Sequence, residues 1–66
     1  MKLEWRDSTK VRLVDSAGYL VGQVYRDNDR GEWCWERTNP WLLGFEPTKE
    51  AAQSALESAV REAVDG

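Results

Sequence analysis

A chain of 66 residues with one cysteine and no histidine must hold itself together without a staple. Cys34 has no partner for an internal disulfide, and a zinc site of the usual four Cys and His ligands cannot be assembled. A domain of ~60 residues buries only about 60% of the surface its unfolded chain exposes, which leaves its stability marginal. Stabilisation must come from a dense core. The four tryptophans, two tyrosines and one phenylalanine are the side chains able to fill it, each ring burying roughly 150–250 Å2.

The front two thirds of the chain alternate in polarity and are punctuated by turn residues. "KLEWRDS" has the pattern of a short first strand. "KVRLVD" alternates, "DSAG" is a turn in which Gly18 is free to take a positive φ, and "YLVGQVYRD" is rich in β-branched and aromatic residues. "DNDRG" is a strong turn signal, "EWCWERT" alternates strictly, "NP" interrupts it, and "WLLGF" is a last short extended piece. From Thr48 onward the period changes. Ala52, Leu56, Ala59, Val60, Ala63 and Val64 recur at i, i+3 and i+4, with Ala55 beside them. Thr48 is a suitable N-cap and Gly66 a suitable end. The pattern predicts one α+β domain over residues 1–66. A three- or four-stranded antiparallel meander over 2–45 is packed on one face by a single helix over 48–64.

Because the helical stripe is mostly alanine, the bulk between the two layers must come from the sheet. On a strand, residues two apart share a face, which groups Trp33, Trp35 and Arg37 against Glu32, Cys34 and Glu36. Burying the second set would take two carboxylates out of water, so the tryptophan set is expected under the helix, at least one ring fully. The other reading makes Trp33 and Trp35 an exposed aromatic pair. Leu3 and Trp5 are expected at the core edge, and either Trp41 or Leu42 turns inward. A sheet with one helix keeps one bare face, expected to show Glu32, Glu36 and their neighbours.

The residues that chemistry needs are scarce. Without histidine there is no nucleophile–histidine arrangement. Cys34 lies in a strand without a base and reads as a small apolar filler. The glycines are isolated, so no phosphate-binding loop is present. Asp27, Asp29 and Glu32 lack the ligand pattern of a calcium loop and read as a solvated turn. No catalytic residues, cofactor or metal are expected, and the protein is not expected to be an enzyme. No apolar run approaches the ~20 residues of a membrane span. The opening "MKLEWRD" lacks a signal region, and the free thiol fits the cytosol, host cytosol if a phage encodes the chain. The chain reads as a whole small gene product.

Net charge is −3. Residues 1–45 hold seven acids and seven bases, whereas residues 46–66 hold five acids against Lys49 and Arg61. That distribution lacks the basic footprint of a general nucleic-acid binder. At "YLVGQVYRD" and "WLLGFEPTKEAAQSALESAV" the chain resembles the AP2/ERF domain and the arm-binding domains of phage-type integrases. The resemblance spans roughly 30 residues and implies a three-stranded sheet with a C-terminal helix. It also implies a sheet face reading DNA through Arg26 and Trp41, with Arg12 on the neighbouring strand. In type, the chain is similar to small acidic phage-encoded proteins, anti-CRISPR inhibitors among them, which act by binding. The leading expectation is therefore a non-enzymatic inhibitor of that kind, a DNA mimic in its charge. It would dock on a host protein or protein–nucleic-acid complex through Asp27, Asp29, Glu32, Glu36, Glu57, Glu62 and Trp41. The alternatives are a DNA-binding accessory domain using Arg12, Arg26 and Trp41, and a homodimeric interaction protein. The expected state is a monomer or weak dimer with no membrane contact.

Overall fold

The computed structural model describes residues 2–7 and 10–65. Five strands, β1 (Leu3–Asp7), β2 (Val11–Asp15), β3 (Leu20–Asp27), β4 (Glu32–Thr38) and β5 (Trp41–Glu46), precede one helix, α1 (Lys49–Asp65). The strands lie in chain order, each antiparallel to its neighbours. The fold is the α+β meander expected, with five strands instead of three or four. Both short flanking pieces, β1 and β5, pair fully with their neighbours. The sheet therefore ends at Glu46, and the helix runs Lys49 to Asp65 where 48–64 was expected. Gly66, the expected helix end, lies outside the described residues. Among the described residues no helix is long and apolar enough to cross a membrane.

Two aspartates build the turns by one device. The Asp15 carboxylate accepts the backbone N–H of Ala17 and Tyr19 at 2.9 and 3.0 Å, and the Asp27 carboxylate accepts those of Asp29 and Arg30 at 3.1 and 3.2 Å. Each turn then needs a left-handed residue, supplied by Gly18 at φ 87° and Gly31 at φ 70°. The β4–β5 hairpin closes on the Thr38–Trp41 pair across Asn39–Pro40, whose peptide bond is cis. At the helix start, Thr48 Oγ1 accepts the Ala51 N–H at 3.1 Å, which makes Thr48 the N-cap. Lys49 Nζ reaches Asp7 Oδ2 at 2.7 Å, tying α1 to the far edge strand.

The core lies between α1 and one face of the sheet. Val11, Leu13, Val24 and Trp35 from the strands meet Ala52, Leu56, Ala59 and Val60 from the helix. Trp35 is 9% exposed and Trp33 and Trp5 are half-buried at the margin: both β4 indoles face the helix as expected, but neither is fully buried. α1 lies across β3, β4 and β5, and Leu3 and Trp5 extend the apolar layer on the β1 side. A register shift between Leu13 and Val14 leaves Val21 outside the pairing and against the core. The apolar stripe of the helix stops at Val60: Ala63 is exposed and Val64 is 55% exposed, contrary to the sequence expectation. There α1 forms a shallow groove with Leu20, Val21 and Pro40. Arg37 spans it, donating to the Ala59 carbonyl at 2.6 Å and the Pro40 carbonyl at 2.8 Å.

Two glycines let the layers approach. A Cβ at Gly22 would lie 2.6 Å from Leu56 Cδ1 and 2.8 Å from the Glu36 carbonyl oxygen. A Cβ at Gly44 would run into the Trp35 indole, which lies across this directly opposing residue. Trp35 Nε1 continues past it to donate to Glu46 Oε2 at 3.4 Å. Gly44→Ala must push that ring out of place. Overpacking of this kind costs ~1–3 kcal/mol. Thermal unfolding followed by circular dichroism should show a midpoint lower by several degrees, at roughly 4–8 °C per kcal/mol for a domain of this size.

Candidate functional site on the open face of the sheet

The alternation that sends Trp35 toward the helix sends its neighbours to the other side, where among the described residues no element covers them. Following the strand register, one row across the open face reads Arg6, Arg12, Gln23, Glu36, Leu43. The next row reads Tyr25, Cys34, Phe45, and beyond it Asp27 stands opposite Glu32. Trp41, paired with Thr38, lies at the other end. Cys34, buried between Tyr25 and Phe45, gives this face a small apolar patch of its own, and Val14, also buried outside the helix-side cluster, lies two strands away on the far side of the Glu36 row. Cys34 is 1% exposed between Tyr25 and Phe45, the filler role expected of it.

Glu36 sits at the centre of the β3–β5 half. Its carboxylate accepts the Trp41 indole N–H at 2.6 Å and the Gln23 side-chain amide at 2.9 Å. These two bonds, Trp41 first, hold the carboxyl below its ordinary pKa and keep it ionised beside aromatic rings. Tyr25 is pushed the other way, up to about 12, first by hydrogen bonding with the Cys34 side chain and then by burial and nearby negative charge. Its phenol stays neutral at physiological pH, a donor at the edge of the patch. Trp41, 64% exposed, is the most prominent ring on this face. The Arg30 guanidinium lies 4.2 Å from the Phe45 ring centroid, a cation–π contact that fixes it over the sheet.

The expected site residues divide. Glu32, Glu36 and Trp41 share the open face. Asp27 shares it too, but its carboxylate is engaged in the β3–β4 turn and lies 3.7 Å from Arg30 Nε. Asp29 is an exposed residue of that turn. Glu57 and Glu62 are carried by α1, on the opposite side of the sheet, and do not join the other carboxylates. Glu32 and Glu36 are separated along β4 by Cys34, roughly 13 Å apart at four residues of strand rise. The DNA-reading set divides as well. Arg12 and Trp41 are on the open face, while Arg26, directly opposite Trp33, is on the helix side with its guanidinium 5.8 Å from the Trp33 ring. Neither Trp41 nor Leu42 is buried: Trp41 faces out on the open side, and Leu42, on the helix side, is 41% exposed.

Sequence reasoning placed Glu32 and Glu36 here but missed Tyr25, Leu43 and Phe45, which give the face its apolar character. The signal for Tyr25 was present, since it is two residues from Gln23 and Asp27. For β5 it was not, because "WLLGFE" is apolar on both faces. Arg6 and Arg12 lie on the β1–β2 half of the face, where Glu4 pairs with Arg6 at 3.1 Å, and Asp27, Glu32 and Glu36 on the β3–β4 half.

The Glu36 network has a pH signature. A depressed carboxyl pKa means that the ion's contribution to stability is present above the ordinary value of 4.5 and is lost as pH falls through the lowered one. The Trp41 indole N–H resonance should titrate with a midpoint below 4.5, and Glu36→Gln should abolish that titration. A midpoint at or above the ordinary value would show that the bonds do not form.

No family model matches the chain, and no similar protein was found among curated proteins or solved structures.

Proposed function

We propose that this protein is a non-enzymatic binding module of the small phage-inhibitor type, acting through the β3–β5 half of its open sheet face. Its partner is a host protein, one whose own surface is built to receive nucleic acid. The observation that carries this reading is the Glu36 carboxylate, ionised and held by Trp41 and Gln23 in a patch of Tyr25, Leu43 and Phe45. An aromatic patch with an oriented anion suits a protein surface rich in arginine. Rings supply contact area at low entropy cost, and a prepositioned carboxylate loses little freedom on pairing with a guanidinium. Glu32 extends the anionic side toward the β3–β4 turn.

Two features favour a protein partner over DNA itself. The carboxylates of β4 would repel phosphates at the centre of the face, and Arg26 stands on the other side of the sheet from Arg12 and Trp41. An acidic net charge adds to that repulsion.

The test is a capture experiment from bacterial lysate with competition. The wild-type protein should retain a host protein that duplex DNA or high salt displaces. Trp41→Ala should weaken that capture at least about ten-fold, equivalent to ~1.4 kcal/mol, and Glu32→Gln with Glu36→Gln should abolish its salt dependence. The reading fails if the pure protein itself shifts duplex DNA at physiological salt, or if capture survives the double neutralisation unchanged.

A further inference from the structure

The two edges of the sheet are not alike. β1 alternates charge with apolar residues, carrying Glu4, Arg6 and Asp7, the last of them tied to Lys49. Charged edges of this kind discourage pairing with another chain. β5 reads Trp41-Leu42-Leu43-Gly44-Phe45-Glu46 and carries no charge until its last residue. Its only neighbouring elements are β4 and α1, so among the described residues no element pairs with its outer side. Every second residue of β5 points its N–H and C=O away from β4, a row of donors and acceptors ready for another strand.

We propose that β5 pairs with β5 of a second copy of this chain, antiparallel about a two-fold axis at Leu43. The proposal does not depend on the function argued above. A two-fold axis perpendicular to the sheet sets each residue opposite one on the same face, which restricts the register to a few choices centred on a single residue. Centring on Leu43 sets Leu43 against Leu43, Trp41 against Phe45 and Leu42 against Gly44 of the other copy. On the open face this makes two aromatic cross-strand pairs flanking a leucine pair, the combinations that stabilise antiparallel sheets. On the helix side, the half-exposed Leu42 comes opposite Gly44, whose own face is occupied by the Trp35 indole, so Leu42 meets the edge of that ring. Centring on Gly44 instead sets Leu42 against Glu46 and Trp41 against Pro47, which lacks an N–H.

The helices do not obstruct the pairing. α1 lies over β3 and β4 more than over β5. At a strand spacing of ~4.8 Å, two copies hold their helices roughly 15–20 Å apart, beyond a helix diameter of ~10–12 Å. The dimer is a continuous ten-stranded sheet with both helices on one side. Its open faces form one surface in which the two Trp41–Leu43–Phe45 strips adjoin.

Sedimentation equilibrium from micromolar to millimolar protein tests the association. The wild type should rise toward twice the monomer mass, and Leu42→Lys, at an exposed position, should weaken association at least ten-fold while keeping its circular dichroism spectrum. Register is tested in a Cys34→Ala background. Leu43→Cys should form an interchain disulfide readily under mild oxidation, since opposed Cα atoms ~4.5–5.5 Å apart suit a disulfide. Trp41→Cys, whose copies would be roughly 13 Å apart, should not. A wild type that stays monomeric at millimolar concentration overturns the proposal. So does association unaffected by Leu42→Lys, or Leu43→Cys cross-linking no faster than Trp41→Cys.

Discussion

The Trp35 indole lying across Gly44 is the contact on which the rest of this molecule depends. A ring of this size buries on the order of 150–250 Å2, which at about 25 cal/mol per Å2 stabilises the fold by at most ~4–6 kcal/mol. For a domain expected to be stable by ~5–15 kcal/mol, one such ring decides whether it folds. The contact also fixes orientation. With Trp35 turned toward the helix, strand alternation commits Cys34, Glu32 and Glu36 to the other side, and hydrogen-bonded pairing carries that commitment through β3 and β5.

An alanine-faced helix and an aromatic sheet are complementary solutions to one packing problem. Ala52 and Ala59 bring α1 close, Leu56 enters the space over Gly22, and Trp35 fills the space over Gly44. Among the described residues one helix is the whole second layer, which leaves the opposite face of the sheet open. Cys34 is covered by its cross-strand neighbours Tyr25 and Phe45, and these rings, with Leu43 and Trp41, remain at least partly exposed. The proposed binding surface is therefore the face of the sheet that α1 leaves uncovered.

Much of this was readable in the residues. The Thr48 cap, the i, i+3, i+4 stripe and the aspartate–glycine turns act locally, so the sequence alone locates them. The facing of Trp33 and Trp35 followed from the cost of burying two glutamates. What escaped depends on register, which is not local. Arg26 grouped with Arg12 by type, yet one residue of strand places it on the other face. "WLLGFE" has no alternation to read, and only the hairpin closure at Thr38 and Trp41 decides that Trp41, Leu43 and Phe45 face away from the helix. Ala63 and Val64 continue the helical pattern past Val60, where buried packing ends.

The orientation of β4 and β5 is the central claim, and the indoles report it. Trp35 and Trp41 would each be kept as the single tryptophan, with phenylalanine at the other three positions, and iodide quenching of fluorescence measured in the folded proteins. The account predicts strong quenching of Trp41 and weak quenching of Trp35, the difference vanishing on unfolding. Quenching of Trp35 as strong as that of Trp41 in the folded state would contradict it.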